Sequence, residues 1–431
     1  MIIIGAKNIM YEIRNADKIP AHLPKRLTIS FPIWGLFDTE PGGAYHDYDQ
    51  MMREHAERGF NCIRLDDGAG LIHDSEGNLL EPIIWGRIFG EYELCMRQFA
   101  ATGEPGPCDV HKRLISLFEA AKKHNIYIIL SSWYYLHTNW FTKEYALNDR
   151  LHAIDPLDRF MAFAKFLHYI ICELEERGLD QQIAFAEIFN EADGLRFING
   201  YGDENHLSDD EIAVFRRKHE EALDWLQNKH PQILFAFDSW TYYTDLRQVP
   251  GNMQVYNFHN YFLMSAYGTE LENDLSLLKK DKISMETIKS VAESKYPPTD
   301  DWYHRVWFYN NLDPKNIPYA QQKMKTYLKE HLEEIRQRFY DSLDHVKENL
   351  ENNLPAVPVI CGEGVSYCGS YDVIWEETSE EYWDIMREVM VAYRNLGMWG
   401  TVVRTCCGPE DPVWKRYPEK LLELNQIFLA G

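Results

Sequence analysis

Short apolar runs recur along the chain, each followed by a polar loop and then by a segment whose apolar positions step by three and four. Leu27 to Trp34, Asn61 to Leu65, Ile126 to Trp133, Ala184 to Phe189, Ile233 to Phe237, Val255 to Tyr261, Val357 to Cys361 and Trp399 to Arg404 read as eight strands. Ile126 to Trp133 in particular is near-continuously apolar, the signature of a strand buried on both faces of a parallel sheet. Helices fill the gaps. Tyr48 to Arg58 stops at Gly59, Asp109 caps a helix running to Lys123 with Leu114, Leu117, Phe118 and Ala121 on one face, and Pro156 to Arg177 stops at Gly178. Ser208 caps a helix to Lys229 that Pro231 cannot continue, and Glu380 to Asn395 and Glu419 to Phe428 complete the series. Strands alternating with helices predict an α/β fold, a (β/α)8 TIM barrel with extended βα loops.

Two stretches interrupt the rhythm. A segment of about 262–317 stands between the sixth strand and the next helix and reads as a lid-like insertion, so residues 1–431 are expected to form one catalytic-type domain carrying an insert. After it, a helix is predicted from Pro318, a residue suited to a first helical position. Its stripe of Met324, Leu328, Leu332, Ile335, Phe339, Leu343, Val346 and Leu350 runs on without a break. The stripe suits packing on its own domain better than a dimerising coiled coil, although a homo-oligomer remains compatible with it.

Composition narrows the function classes. A net charge of −23 repels nucleic acid and anionic membrane surfaces, so neither is an expected partner. The opening Met1-Ile2-Ile3-Ile4 run is too short for a secretory segment, and no stretch approaches the roughly 18–20 apolar residues of a membrane span. The eight cysteines form no CxxC pairs with zinc spacing, and Cys62 and Cys361 fall inside strands. Reduced, buried thiols and a cytoplasmic location are the expectation; adjacent Cys406 and Cys407 are poorly placed to bridge. The 16 histidines include no His-Glu-x-x-His and no His-x-His after the first strand, and no glycine-rich nucleotide loop occurs, so neither metal nor cofactor is indicated.

In such a barrel the chemistry sits where the strands end. The fourth strand closes on Asn190-Glu191, a polar ending that packing alone does not require, and the seventh closes on Gly362-Glu363-Gly364. Those two strands face one another across the mouth. Glycosidic hydrolysis needs such a pair of carboxyl groups, one protonating the leaving oxygen and one attacking the anomeric carbon. The glycines flanking Glu363 are expected to leave room for substrate. Other strand ends supply Arg64 with Asp66, Trp133, Asp238-Ser239-Trp240, His259-Asn260-Tyr261 and Arg404-Thr405. Trp133 and Trp240 are expected to meet substrate, while Trp34, Trp85, Trp140, Trp302 and Trp307 fall on or near βα loops as further rings for sugar stacking or for core. Glu187, four residues before Glu191, points into the barrel and needs a buried partner.

Glu187-Ile188-Phe189-Asn190-Glu191 closely resembles the E-I-x-N-E-P signature of cellulase-type retaining hydrolases, the (β/α)8 clan typified by glycoside hydrolase family five. The resemblance implies that Glu191 is the acid/base, that Asn190 contacts the sugar 2-hydroxyl and that Glu363 is the nucleophile. It further implies that Tyr261 in His259-Asn260-Tyr261 holds the nucleophile and that Arg64 keeps it ionised. A guanidinium beside a carboxylate favours the charged form, which suits a nucleophile. The expected activity is hydrolysis of β-linked oligosaccharides or β-glycosides; the alternative is a catalytically inactive sugar-binding barrel. Three departures bear on that choice. Ala192 stands where the family has Pro, Trp133 where it commonly has His, and the eighth strand lacks the usual terminal Trp, ending on Val402-Val403-Arg404. Arg404 is read either as a contact for an acidic or polar sugar or as an ordinary structural arginine.

Overall fold

A computed structural model describes residues 12–32, 35–66, 70–84, 106–132, 145–194, 198, 200–202, 207–263, 314–366 and 374–430. Eight parallel strands close into a barrel: β1 (Leu27–Ser30), β2 (Cys62–Leu65), β3 (Tyr127–Leu130), β4 (Ile183–Glu187), β5 (Phe235–Ser239), β6 (Val255–Asn260), β7 (Val359–Gly364) and β8 (Gly400–Val402). Each pairs with its neighbours in chain order, and β1 closes the ring against β8 with Leu27 opposite Gly400. Nearly every strand residue is buried, because one face packs on helices and the other fills the barrel. Leu27, Ile29, Cys62, Tyr127, Ile129, Phe185, Val255, Ile360 and Trp399 form the apolar interior plug. Trp399 therefore belongs to the floor, packing against Phe185 and donating its indole N–H to the Pro24 carbonyl at 3.0 Å.

The surrounding helices are α1 (Tyr48–Glu57), α2 (Val110–His124), α3 (Tyr145–His152), α4 (Arg159–Glu176), α5 (Asp209–Lys229), α6 (Ile317–Glu330), α7 (Leu332–Asn352), α8 (Glu380–Asn395), α9 (Pro412–Arg416) and α10 (Pro418–Leu429). Their starts follow the expected caps. Asp47 and Asp109 each accept from the backbone N–H three residues on, and Ser208 with Glu211 forms a reciprocal capping box that satisfies two orphan donors.

Three details differ from the sequence reading. The helix expected unbroken from Pro318 to Leu350 is two helices that part at His331, whose backbone (φ −109°, ψ 18°) leaves helical geometry. The apolar stripe carries straight across that joint, so periodicity alone does not reveal it, and its Met324, Leu328, Ile335, Phe339 and Val346 are buried within the chain. The first and third strands end earlier than their apolar runs, at Ser30 and Leu130, while the seventh continues through Glu363 to Gly364. Helices α3 and α9 have no counterpart in the predicted series. The proposed lid-like insertion lies outside the described residues apart from its edges, as do Trp34, Trp85, Trp133, Trp140, Trp302 and Trp307. Among the described residues no helix is long and apolar enough to cross a membrane.

Candidate active site

Above the apolar floor the barrel turns polar, and Arg64 is the centre of the change. Its side chain is fully buried at the end of β2 and spreads its fork over four residues at the ends of three other strands. Nε donates to Glu187 at 2.9 Å, Nη2 donates to Asp238 at 2.9 Å and to Asn190 at 3.2 Å, and Nη1 donates to Glu363. Asp66 stands 3.4 Å from the same guanidinium, and the ring of Phe31 lies 5.0 Å from its carbon. Burial opposes the arginine's charge, but Asp66, Glu187, Asp238 and Glu363 together outweigh it and hold its pKa well above the ordinary value. Asp66 responds in the opposite sense: burial, beyond what Arg64 offsets, pushes its carboxyl well above the usual carboxylate range. Glu187, the inward carboxylate that required a partner, has Arg64 on one oxygen and the Asn257 amide at 3.1 Å on the other. Burial still pushes it up to about 7.

Glu191 and Glu363 reach the same space from opposite walls. One oxygen of each and a ring nitrogen of His259 all lie within 4.8 Å of one another. His259 Nδ1 is 2.9 Å from Glu191 Oε1, while Nε2 is 3.2 Å from Asp238 Oδ2 and 3.6 Å from Glu363 Oε1. Burial disfavours its charge, yet Asp238 and Glu363 outweigh burial and raise its pKa well above the usual value, favouring the charged ring. With both nitrogens engaged by carboxylates, this spacing reflects hydrogen bonding and leaves no ring nitrogen for a metal. The second oxygen of Glu363 accepts from the Tyr261 hydroxyl, which lies 3.4 Å from Thr405 Oγ1. Arg64, Asn190, Glu191, His259, Tyr261 and Glu363 are thus brought together.

Asp238 is the residue that the sequence reading placed at a strand end without giving it a role. One oxygen accepts the backbone N–H of Glu191 at 2.8 Å, and the other receives Arg64, Asn257 and His259. Glu191 has φ 52°, a left-handed conformation unusual for a residue with a side chain, so that hydrogen bond braces a strained turn aiming its carboxyl. Burial alone would raise the Asp238 pKa; His259 and Arg64 override it and hold the carboxylate below its usual range. The available sequence signal was a charged residue closing an apolar strand, the same signal that flagged Glu191.

Trp240 sits beyond this web and is 45% exposed. Its backbone N–H donates to Asp193 Oδ1 at 2.6 Å, and Ser239 Oγ donates to Asp193 Oδ2 at 3.2 Å, so the residue two places after Glu191 anchors the loop that presents the ring. Burial pushes Asp193 up to about 6 despite the hydrogen bond from Thr244.

One expectation is corrected, and one open choice is decided for the structural reading of Arg404. The glycines beside Glu363 seat β6 and do not clear a path for substrate. A Cβ on Gly362 would stand 2.4 Å from the Asn257 amide oxygen, and one on Gly364 would stand 2.4 Å from the Asn260 carbonyl oxygen. Arg404 is not available to a sugar: it is 1% exposed and is paired with Glu376 at 3.1 Å and Asp411 at 3.1 Å.

Comparison with known proteins agrees with this architecture. A family model described as sugar-binding cellulase-like matches residues 31–416. A candidate glycoside hydrolase from Parabacteroides distasonis, known as a crystal structure, aligns with TM-score 0.66 at 17% identity, covering 94% of this chain and 93% of its own. The endo-β-mannanase/endo-β-glucanase of Prevotella bryantii aligns with TM-score 0.50 at 12% identity, covering 98% of this chain and 51% of its own. No curated protein matches the chain in sequence. With the family model spanning most of its length and the barrel closed as that family's fold requires, the chain belongs to the cellulase-like family.

Proposed function

We propose that the protein is a retaining glycoside hydrolase acting on β-linked oligosaccharides or β-glycosides. The observation carrying this reading is the approach of Glu191 and Glu363 within 4.8 Å, oxygen to oxygen. So close an approach suits the roughly 5–5.5 Å between carboxyl groups in retaining enzymes better than the roughly 6.5–9.5 Å that admits a water between them. Glu363, with Arg64 on one oxygen and Tyr261 on the other, is the nucleophile. It attacks the anomeric carbon as the glycosidic C–O bond breaks, and Glu191 gives its proton to the departing oxygen. In the second step Glu191 takes a proton from water, the water oxygen bonds to the anomeric carbon, and the Glu363 carboxylate leaves. Asn190, fixed by Arg64 at 3.2 Å, is oriented to meet a sugar hydroxyl, and Trp240 offers a face for a sugar ring. The name of the Prevotella relative, an endo-β-mannanase/endo-β-glucanase, supports a β-linked substrate. Six free cysteines among the described residues, five of them buried, support a reducing, cytoplasmic setting.

A catalytically inactive sugar-binding barrel is the second reading, favoured by the family's own description as sugar-binding. A panel of aryl β-glycosides separates the two. The hydrolase releases aglycone from at least one member, and Glu363→Gln abolishes release without lowering the melting temperature. Melting shifts with free sugars but no release from any member would establish the binding reading instead.

A further inference from the structure

On the opposite face of the barrel from Glu191 and Glu363, α4 and the end of α5 bring a thiol and two imidazoles together. His168 and Cys172 are four residues apart on α4 and so share one face of it, and His230 closes α5 just before β5. His168 Nδ1 lies 2.8 Å from His230 Nε2, Cys172 Sγ lies 3.5 Å from His168 Nδ1, and all three ligand atoms fall within 4.8 Å of one another. Tetrahedral zinc with ordinary bond lengths sets two imidazole nitrogens about 3.3 Å apart and a nitrogen and a sulfur about 3.6 Å apart. Opening the histidine pair by about half an ångström reaches that geometry.

The surroundings supply what ligation needs next. His230 is 1% exposed in its side chain, and its other nitrogen, Nδ1, is 2.9 Å from Glu175 Oε1. A carboxylate on Nδ1 fixes the tautomer that turns the Nε2 lone pair into the gap, the arrangement that orients histidines on metals. The ring of His168 is steered by Trp225, which meets it edge-on at 5.1 Å between centroids. In the metal-free state two ring nitrogens at 2.8 Å must share a proton. An ion replaces that proton, with the His168 proton moving to Nε2 and the Cys172 proton leaving to solvent.

We propose that His168, Cys172 and His230 form a binding site for a borderline-soft divalent cation of the zinc type, with Glu175 as the supporting carboxylate. One thiolate and two imidazoles select zinc or cobalt over magnesium or calcium. The ion would tie α4 to α5 on the face remote from the carboxylate pair, so it serves stability and takes no part in glycoside chemistry.

Cobalt titration of the chelator-treated full chain is the test. Wild type should take up one equivalent per chain, with the near-ultraviolet thiolate-to-cobalt band and the strong visible bands of a tetrahedral site, and zinc should displace it. Cys172→Ser should lose the thiolate band, and His230→Gln should lose tight binding. Glu175→Ala should weaken zinc binding about 10–100-fold. Zinc should raise the melting temperature of wild type and leave that of Cys172→Ser unchanged. The proposal is overturned if wild type shows no thiolate band, or if Cys172→Ser and Glu175→Ala bind zinc as wild type does. Circular dichroism identifies any variant that fails to fold, and Glu175→Ala alters no ligand, so it keeps the test decisive if a ligand variant is lost.

Discussion

Two arginines end barrel strands in this molecule, both fully buried and both wrapped in carboxylates, yet they do different work. Arg64 divides its donors among Glu187, Asp238, Asn190 and Glu363, and two of those partners open on the space beside Glu191. Arg404 is closed off: Glu376 and Asp411 take its charge, and Tyr382 stands 3.4 Å from its Nη1. A buried guanidinium with acidic neighbours therefore does not identify an active site. What separates the two is whether its partners also touch groups left in reach of a ligand.

The same substitution at both positions tests that contrast with the largest expected effect. Arg64→Lys keeps the charge but loses the fork, misplacing Glu363 and Asn190, and should cost on the order of 10²-fold in kcat/KM. Arg404→Lys should leave kcat/KM of the folded protein close to wild type while lowering its melting temperature. Removing the charge altogether with Arg404→Met should cost about 3–5 kcal/mol in denaturant unfolding, because Glu376 and Asp411 are left buried together. Equal loss of activity in the two lysine variants would erase the distinction.

A smaller effect lies in pH. Near the β8 end, burial pushes Glu410 up to about 8 against the hydrogen bond from Tyr45, as it pushes Glu187 up to about 7 beside Arg64. Both carboxyls bind their proton more tightly folded than unfolded. Their stabilising contribution is complete below about pH 4.5 and is lost as pH rises through the folded values. The melting temperature should fall between about pH 5 and pH 8, and Glu410→Gln should flatten the upper part of that fall. An unchanged slope in Glu410→Gln would remove Glu410 from the account. Smallest of all, Trp240→Ala should raise KM several-fold with kcat nearly unchanged, as expected for a ring that binds ground and transition states alike.

The barrel was legible because parallel strands buried on both faces leave apolar runs that need no partner to be recognised, and Ile126 to Trp133 and Val357 to Cys361 are such runs. Glu191, Glu363 and His259 were legible for a related reason: polar residues ending those runs have no packing role there. Asp238 carried the same signal, but its hold on the Glu191 backbone depends on how β4 and β5 lie side by side. Asn257 is hidden further, inside an apolar run where only the closed barrel supplies its partners Glu187 and Gly362. Arg404 stayed ambiguous because its partners come from α9's cap and a loop before α8. The cluster of His168, Cys172 and His230 is invisible along the chain, since it exists only where α4 packs on the end of α5.

The central claim, that Glu363 attacks the anomeric carbon, is tested most directly by trapping. Activated 2-deoxy-2-fluoro-β-glycosides slow the second step, so the glycosyl–enzyme accumulates, and peptide mass spectrometry locates it. The prediction is one glycosyl adduct per chain on the peptide holding Glu363, absent from Glu363→Gln. An adduct on any other residue, or steady aglycone release by Glu363→Gln, would contradict it.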